Sequence, residues 1–262
     1  MTSRIPVTVV IAARDEGVQI ADCVRSASFA AEVLVVENDS TDDTVAEARE
    51  AGAVVFSHPF LTIGGQRNAA IERASCDWIL VLDADERATP ALGDELAKRL
   101  ASAGPIQAWR LGRRNFFFGG EIRHGGWGGG RDRPVRFFRR RLRYDERPVH
   151  EHVLVDGAIG ELDERIRHEP YATLDEYFEK LVRYSRDWAA QHYARGRRAS
   201  LWSVVVRPPA RFFAMLILRG GFRDGARGVL LAVLAAMSVA AKYAFLWEHG
   251  LRGAAPDSSG RP

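Results

Sequence analysis

The first hundred residues alternate short apolar runs with segments of helical periodicity. Residues 7–13 form a continuous β-branched run without period-two alternation, which is typical of a strand buried on both faces of a parallel sheet. The further predicted strands are 33–36, 53–56 and 78–82, and the predicted helices are 20–27, 41–51, 66–74 and 89–100. Strands that alternate with helices predict an α/β protein with a Rossmann-like doubly wound sheet.

The pattern changes twice after this region. Beyond Pro105, glycines, arginines and aromatic residues surround short β-like pieces such as 135–138. Helical periodicity returns at Thr173, which forms a capping box with Glu176. The last uncharged stretch, 228–241, has 14 residues, fewer than the roughly 20 that a spanning helix needs, so an interfacial or buried helix is predicted there.

The charge distribution indicates an anionic substrate or surface. The net charge is only +3, but arginines crowd residues 110–147. Their planar guanidinium groups suit phosphate or carboxylate, although each one alone could equally be part of a solvated basic face. Cys23 and Cys76 lie in a predicted helix and near a predicted strand, which gives a disulfide framework no support. With no signal-peptide pattern at the N-terminus, we expect a cytoplasmic protein.

Acidic residues follow two predicted strands at their carboxyl ends, where open α/β sheets bind ligands. Asp83 and Asp85 come directly after the strand 78–82, and two such carboxylates on an extended backbone would share a face and suit Mg²⁺ or Mn²⁺. Glu86 is interpreted as an acid that favours the start of the next helix. After the second strand, Glu37 and Asn38 are candidate ligand contacts, whereas Ser40 or Thr41 is expected to cap the following helix.

These segments, taken in order, resemble the family 2 glycosyltransferases, and most closely the bacterial lipopolysaccharide-core type. An Asp-x-Asp alone is weak evidence, whereas several motifs in the right order are specific. The matching segments are 9–16, 37–44, 64–70, 82–87, 114–117, 124–127, 148–151 and 242–247.

The resemblance implies a GT-A fold and an inverting transfer of a sugar from a nucleotide-diphosphate donor, expected to be a UDP-sugar. The acceptor would be a lipopolysaccharide-core or other cell-envelope glycan, or a lipid-linked molecule. The resemblance also implies Mg²⁺ or Mn²⁺ as cofactor, with Asp83 on the ribose or the metal and Asp85 on the metal. Glu151 matches the catalytic base. The expected donor contacts are Ala12, Arg14, Glu16, Glu37, Asn38, Arg67, Asp83 and Arg136.

Two positions depart from the family pattern, and three histidines need separate interpretation. Glu37 stands where the family commonly has aspartate, and Asp15 where it usually has asparagine. His168 is a candidate third metal ligand, because imidazole often joins carboxylates at metals. His124 is interpreted as structural, and His150 as a residue that orients Glu151 or a phosphate.

The chain is therefore predicted to hold a GT-A catalytic domain at 1–170, with a nucleotide-sugar half at 1–104 and an acceptor half at 105–170. A helical C-terminal extension at 171–255 and a disordered tail at 256–262 follow. Apolar and aromatic residues beside arginines in this extension favour peripheral binding to the inner face of the plasma membrane, with packing against the catalytic domain or a subunit as the alternative. Nucleic-acid binding and a catalytically inactive membrane-associated scaffold remain alternative functions, although no nucleic-acid partner is expected.

Overall fold

The computed structural model describes residues 4–128, 133–147, 151–171 and 173–253. The chain divides into two units. The first is Met1–Phe116 with Gly129–Pro170, and the second is Phe117–Gly128 with Tyr171–Pro262. The second unit thus includes a segment that the sequence analysis assigned to the acceptor half.

Parallel strands form one half of the sheet in the first unit. The apolar run predicted as the first strand is β1 (Ile5–Ala13), which pairs in parallel with β2 (Ala30–Glu37) on one side and β4 (Trp78–Asp83) on the other. Beyond β2 lies β3 (Val54–Ser57). Val9, Val10 and Ile11 have no exposed surface, so β1 is buried on both faces, as its lack of alternation indicated.

Helices connect these strands: α1 (Gly17–Ser26), α2 (Thr44–Glu50), α3 (Ile63–Arg73) and α4 (Pro90–Ala101). Thr89 caps α4 as predicted, accepting a hydrogen bond from the Leu92 amide at 3.1 Å. The expectation that Ser40 or Thr41 caps α2 is wrong. This helix begins three residues later than predicted, after Asp43, because Asp42 turns the chain by accepting a hydrogen bond from the Thr44 amide at 3.0 Å.

The other half of the sheet contains antiparallel neighbours. The remaining strands are β5 (Glu86–Arg87), β6 (Ile106–Phe117), β7 (Gly120–Ile122), β8 (Val135–Arg139), β9 (Arg143–Tyr144), β10 (Val153–Leu154) and β11 (Ala158–His168). The main sheet runs β3-β2-β1-β4-β8-β6-β11-β5, with β8 antiparallel to both β4 and β6. The predicted α/β class, a doubly wound mixed sheet of GT-A type with a helical C-terminal extension, is confirmed.

The second unit is built on three long helices: α5 (Leu174–Ala194), α6 (Leu201–Phe213) and α7 (Gly225–Gly253). A π-helical turn, Ala214–Leu218, and a short 3-10 helix, Gly221–Asp224, join α6 to α7. The predicted cap at Thr173 is confirmed, because its hydroxyl accepts from the Glu176 amide at 3.1 Å. A hydrogen bond joins α5 to α7: the hydroxyl of Tyr177 donates to the Leu234 carbonyl at 2.8 Å.

The last helix is longer than its uncharged stretch suggested. It continues through Lys242 to Gly253. Two helical segments, Leu201–Leu218 and Gly221–Arg252, are long and apolar enough to cross a membrane by length and composition alone, with mean hydropathies of 1.4 and 2.1. The expectation that the helix containing residues 228–241 is too short to span is therefore wrong on length.

Candidate active site

The candidate nucleotide contacts lie at one edge of the sheet. Because β1, β2 and β4 are parallel, their carboxyl ends meet there, and the register sets Ala12 beside Asp83 on one side. On the other side, Ala13 lies beside Glu37. Glu37 and Asn38 are buried, with exposed fractions of 8 % and 6 %. The Glu37 carboxylate accepts a hydrogen bond from the Ser40 amide at 3.1 Å.

Hydrogen bonds to the loop that follows β2 hold the loop that follows β1 in place. Asp15 has a φ of 53°, in the left-handed region that Asp tolerates almost as well as Asn, so its departure from the family pattern keeps the required turn. Its carboxylate accepts from the Thr41 amide at 2.8 Å, and the Glu16 amide donates to the Thr44 hydroxyl at 2.8 Å. Arg14 remains exposed, with a 3.7 Å ion pair to Asp15. The backbone at residues 15–16 is thus held in place while the Arg14 side chain faces solvent.

A cluster of three arginines and two acids occupies the end of β4. Asp83 is bound by Arg67 at 2.5 Å and by Arg136 at 2.8 Å, and a third guanidinium group, that of Arg113, lies 3.4 Å away. Glu86 has no exposed surface and ion-pairs with Arg113 at 2.8 Å and Arg136 at 3.4 Å. The second Glu86 oxygen accepts from the Asp83 amide at 2.8 Å.

Electrostatics keep Asp83 and Arg136 of this cluster charged. Removal from water would by itself raise the pKa of Asp83, but Arg136 and Arg67 outweigh that effect and hold the pKa well below its usual range. Burial raises the pKa of Glu86, and Asp83 raises it further against the opposing effect of Arg136. Burial also opposes the charge of Arg136, yet Asp83 and Glu86 hold the Arg136 pKa well above its ordinary value. Asp83 is therefore an anion at neutral pH.

Glu151 contacts the same cluster. Its Oε1 is ion-paired with Arg67, whose other terminal nitrogen binds Asp83. Glu151, Asp83 and the three arginines line one open cavity of about 740 Å³, together with Arg133, Tyr144 and other residues. Three predicted donor contacts, Asp83, Arg67 and Arg136, line this cavity together with the predicted base. The other predicted donor contacts lie outside its lining: Ala12, Arg14, Glu16, Glu37 and Asn38.

Asp85 and His168 form a separate pair. Asp85 lies in a turn and not on an extended strand, so the expectation that it shares a face with Asp83 is wrong. His168 reaches it from β11, with Nε2 3.3 Å from Asp85 Oδ2, and the other ring nitrogen is 2.7 Å from Asn115 Oδ1. Among the described residues, no group of three or more His, Cys, Asp or Glu side chains could hold a metal ion.

Sequence reasoning missed Glu86 and Arg113. The interpretation of Glu86 as a helix-opening acid is wrong, because its side chain is buried against two arginines and α4 begins only at Pro90. The signal in the sequence that could have placed Glu86 in the site is its position directly after Asp83-Ala84-Asp85. Arg113 was visible only as one arginine among many, and its position depends on the pairing of β6 with β8.

Many arginines of the basic region are neutralised by acids. Arg133 pairs with Glu161 at 2.8 Å, and Arg141 with Asp156 at 2.7 Å. These pairs lower the positive potential that a nucleic acid would meet. His124 is bound through Nδ1 to Asp224 at 2.8 Å, in keeping with a structural role. His150 and Asp132, which with Asp145 is the next candidate for the base after Glu151, lie outside the described residues.

The helix that carries Arg67 packs tightly on β9. Asn68 donates to the Tyr144 carbonyl at 3.0 Å and accepts from its amide at 2.9 Å. A Cβ added at Gly64 would lie 2.3 Å from the Asp145 carbonyl oxygen, which is backbone and cannot rotate away. We expect Gly64→Ala to destabilise the fold by about 2 kcal/mol or more, measured by urea unfolding.

Gly65→Ala is the matched control for this prediction. A Cβ there would meet only the Thr62 hydroxyl, at 3.2 Å, and alanine favours a helix over glycine by up to about 1 kcal/mol. Equal unfolding free energies for the two variants would contradict the predicted close packing of α3.

Comparison with known proteins identifies the family. The mixed α/β sheet with a helical C-terminal part has the architecture of the GT-A fold. The family model "Glycosyl transferase family 2" matches residues 8–160, and the chain belongs to this family. It is therefore a glycosyltransferase.

Similar proteins carry the same description. The chain is 29 % identical over 259 residues to the lipopolysaccharide core biosynthesis glycosyltransferase LpsC of Rhizobium meliloti, covering 94 % of this chain and 92 % of that one. An uncharacterized glycosyltransferase of Rickettsia felis is 41 % identical over 93 residues, which cover 35 % of this chain and 33 % of its own length. A solved structure of glucosyl-3-phosphoglycerate synthase from Mycobacterium tuberculosis is 25 % identical, with a TM-score of 0.35, covering 42 % of this chain and 43 % of that one.

Proposed function

We propose that this glycosyltransferase moves a sugar from a nucleotide-diphosphate donor, a UDP-sugar, to a cell-envelope acceptor with inversion at the anomeric carbon. The observation that supports this most directly is the cavity in which Glu151 lies next to the arginine cluster around Asp83. It combines a carboxylate that can accept a proton with guanidinium groups that can bind a diphosphate.

The arginines are the proposed binding site for the donor phosphates. Without donor, Arg67, Arg113 and Arg136 are balanced by the carboxylates of Asp83, Glu86 and Glu151. Arg136 and Arg113 face the cavity while Glu86 binds both from the buried side, so their guanidinium groups are oriented before the donor arrives. This preorganisation favours charge that develops on the leaving diphosphate.

Glu151 is the proposed base. Arg67 contacts its Oε1, which leaves Oε2 to accept the proton of the acceptor hydroxyl. As that proton leaves, the hydroxyl oxygen attacks the anomeric carbon from the face opposite the diphosphate. A single displacement breaks the sugar–phosphate bond and inverts that carbon.

Asp85 and His168 fit a divalent cation. If Asn115 receives the Nδ1 proton, the Nε2 lone pair of His168 and the Asp85 carboxylate point toward each other, and two such acceptors suit a shared cation. Two protein ligands leave room for phosphate oxygens and water in the coordination of Mg²⁺ or Mn²⁺. The cation would supply Lewis-acid stabilisation of charge on the diphosphate.

The proposed acceptor is a lipopolysaccharide-core glycan or another lipid-linked molecule at the cytoplasmic side of the plasma membrane. The similarity to LpsC over nearly the full chain supports it. A sugar-transfer assay tests the proposal: the purified protein with Mg²⁺ or Mn²⁺ is incubated with a panel of nucleotide sugars, and nucleotide release is scored. We expect release from a UDP-sugar. Release from no donor, together with a salt-sensitive gel shift of RNA or DNA, would support the nucleic-acid alternative instead.

We also propose that the second unit holds the enzyme on the membrane through one side of α6, which we call the membrane face. No residue of this helix is buried. Four apolar side chains follow Trp202 at three, four, eleven and fifteen residues, a spacing that returns to one side of a helix. The membrane face consists of Trp202, Val205, Val206 and Phe213 of α6 and Ile217 of the π-helical turn that follows, exposed by 73 %, 58 %, 37 %, 58 % and 55 %.

Docking on the surface is favoured over spanning because of α5. This helix runs along α7, with ring contacts from Trp188 to Tyr243 at 5.3 Å and from Tyr193 to His249 at 5.5 Å. A hydrocarbon environment around α7 would also surround α5, whose charged residues would be costly there. They are Asp175, Glu176, Glu179, Lys180, Arg183, Arg186 and Asp187.

Vesicle flotation tests the membrane face. We expect the protein to co-float with vesicles that contain anionic lipid, and Trp202→Glu/Phe213→Glu to reduce the bound fraction at least ~10-fold, because charge is costly in the acyl region. The matched control, Val18→Glu/Leu61→Glu, changes two exposed apolar residues of the first unit. We expect it to float with a bound fraction close to that of the unchanged protein. If the unchanged protein stays in solution, attachment through α6 is wrong.

A further inference from the structure

The strand pair next to Glu151 is anchored on the helix that carries Arg67. Strand β9 contains Tyr144 and pairs with β10, which begins two residues after Glu151. Asn68, the neighbour of Arg67 on α3, donates to the Tyr144 carbonyl at 3.0 Å and accepts from the Tyr144 amide at 2.9 Å. These two hydrogen bonds fix the backbone of Tyr144 against α3, on the strand pair that leads to Glu151.

The ring of Tyr144 contacts Arg67 directly. The guanidinium carbon of Arg67 lies 5.1 Å from the ring centroid, within the range of a cation–π interaction. Both residues are buried, with exposed fractions of 6 % for Arg67 and 5 % for Tyr144, so little water screens this attraction. Burial raises the pKa of Tyr144 against the opposing effect of Arg67, and the ring is therefore neutral at neutral pH. It offers Arg67 a π face and not a phenolate charge.

The other contacts of the Arg67 guanidinium group are with the carboxylates of the cavity. One terminal nitrogen binds Asp83 at 2.5 Å, and the other binds Glu151. Its Nε is buried and has no hydrogen-bond partner among the described residues. The plane of the guanidinium group is thus held by two carboxylates at its edge and by one ring against its face. Without that ring the group would be free to tilt, and Glu151 would move with it.

We propose that Tyr144 is a positioning residue for the base: its ring holds the guanidinium group of Arg67, and Arg67 in turn holds Glu151. This inference rests on the proposed role of Glu151, and it gives Arg67 a task besides binding the donor phosphates. The free oxygen of Glu151 must be directed at the acceptor hydroxyl, and a displacement of about 1 Å can slow such a step roughly 100-fold. Tyr144 itself transfers no proton.

Two variants separate the ring of Tyr144 from its hydroxyl group. Tyr144→Phe keeps the π face, and we expect its kcat to stay within about 3-fold of the parent enzyme. Tyr144→Leu removes the face, and we expect kcat to fall about 10-fold. The KM for donor should change less than about 3-fold, because Arg113 and Arg136 still bind the phosphates. Equal losses in the two variants would assign the effect to the hydroxyl group and overturn the proposal.

Phe56→Leu is the matched control. It removes the ring that lies 3.8 Å from the guanidinium carbon of Arg73, which is on the same helix as Arg67, and neither Phe56 nor Arg73 lines the cavity. We expect the kcat of this control to stay within about 2-fold of the parent enzyme. A loss as large as that of Tyr144→Leu would show that any ring removed from α3 slows the enzyme, which contradicts a role specific to Tyr144.

A double-mutant cycle with Glu151→Gln shows whether Tyr144 acts through the base. If it does, Tyr144→Leu loses its effect once the base is gone, and the double variant should turn over within about 2-fold of Glu151→Gln alone. A merely structural Tyr144 would slow both backgrounds by the same factor, and that result overturns the positioning role. Near-normal turnover of Glu151→Gln would refute the base itself, so the two failures are distinguishable.

A graded change of the ring covers the case in which Tyr144→Leu does not fold. Mono-, tri- and pentafluorophenylalanine incorporated at Tyr144 keep the shape of the ring almost unchanged while fluorine withdraws electrons from its π face. We expect kcat to fall with each step, relative to Tyr144→Phe, and to reach a loss of about 10-fold with the pentafluoro ring. A kcat that does not depend on fluorination overturns the contribution of the ring.

Discussion

Replacing Glu151 with glutamine is expected to slow sugar transfer at least ~100-fold while nucleotide binding survives. Glutamine keeps the size of the side chain, and its amide oxygen can still accept from Arg67, but it cannot take the proton of the acceptor hydroxyl. The loss should therefore appear in kcat and not in the KM for donor. Steady-state kinetics and calorimetric titration with UDP measure the two quantities separately.

Glu161→Gln is the matched control for this variant. Glu161 lines the same cavity, but it is 63 % exposed, and among the described residues its ion pair is with Arg133 alone. The control makes the same chemical change in the same cavity, and we expect its rate to stay within about 3-fold of the parent enzyme. Near-normal turnover of Glu151→Gln would assign the base elsewhere. Asp145, whose carboxylate is only 14 % exposed, would be tested next, along with Asp132.

Asp85→Ala is expected to abolish transfer, and a chelator should do the same to the parent enzyme. Both would remove the proposed cation and its Lewis-acid stabilisation of the leaving diphosphate, whereas the arginines around Asp83 remain. Titration of Mn²⁺ in the presence of UDP, followed by electron paramagnetic resonance, reads out metal binding without turnover. We expect both Asp85→Ala and His168→Ala to weaken Mn²⁺ binding at least ~10-fold.

Asp77→Ala serves as the control for the metal experiment. Asp77 is 82 % exposed and only 4.0 Å from Arg140, so its removal should leave both Mn²⁺ binding and transfer unchanged. Full activity of the parent enzyme in excess chelator would show that the arginine cluster alone handles the diphosphate, and the metal assignment would be wrong.

The parallel half of the fold could be predicted because short sequence patterns specify its strands and helix starts. Residues 7–13 and 78–82 are apolar runs whose burial on both faces follows from composition. The hydroxyls of Thr89 and Thr173 cap their helices by accepting from the backbone amide three residues further on. The carboxyl-edge position of Asp83 followed directly from the strand before it. The start of α2 was harder, since it depends on Asp42 binding both Thr44 and the distant Gly17.

The charged cluster could be predicted only in part, because its members come from distant strands. Arg113 in β6 and Arg136 in β8 reach Asp83 through antiparallel pairing that no local pattern specifies. Glu86 looked like a helix-opening acid because only the tertiary structure buries it. In the second unit, by contrast, the apolar pattern alone predicted the helices.

The anomeric configuration of the product tests the proposed reaction most directly. A UDP-α-sugar that is shown to be a donor is incubated with the enzyme and acceptor, and the new linkage is examined by proton nuclear magnetic resonance before any anomerisation. Attack assisted by Glu151 from the face opposite the diphosphate predicts a β-linked product with a large H1–H2 coupling for a gluco-configured sugar. An α-linked product would contradict the single displacement and the role of Glu151 as its base.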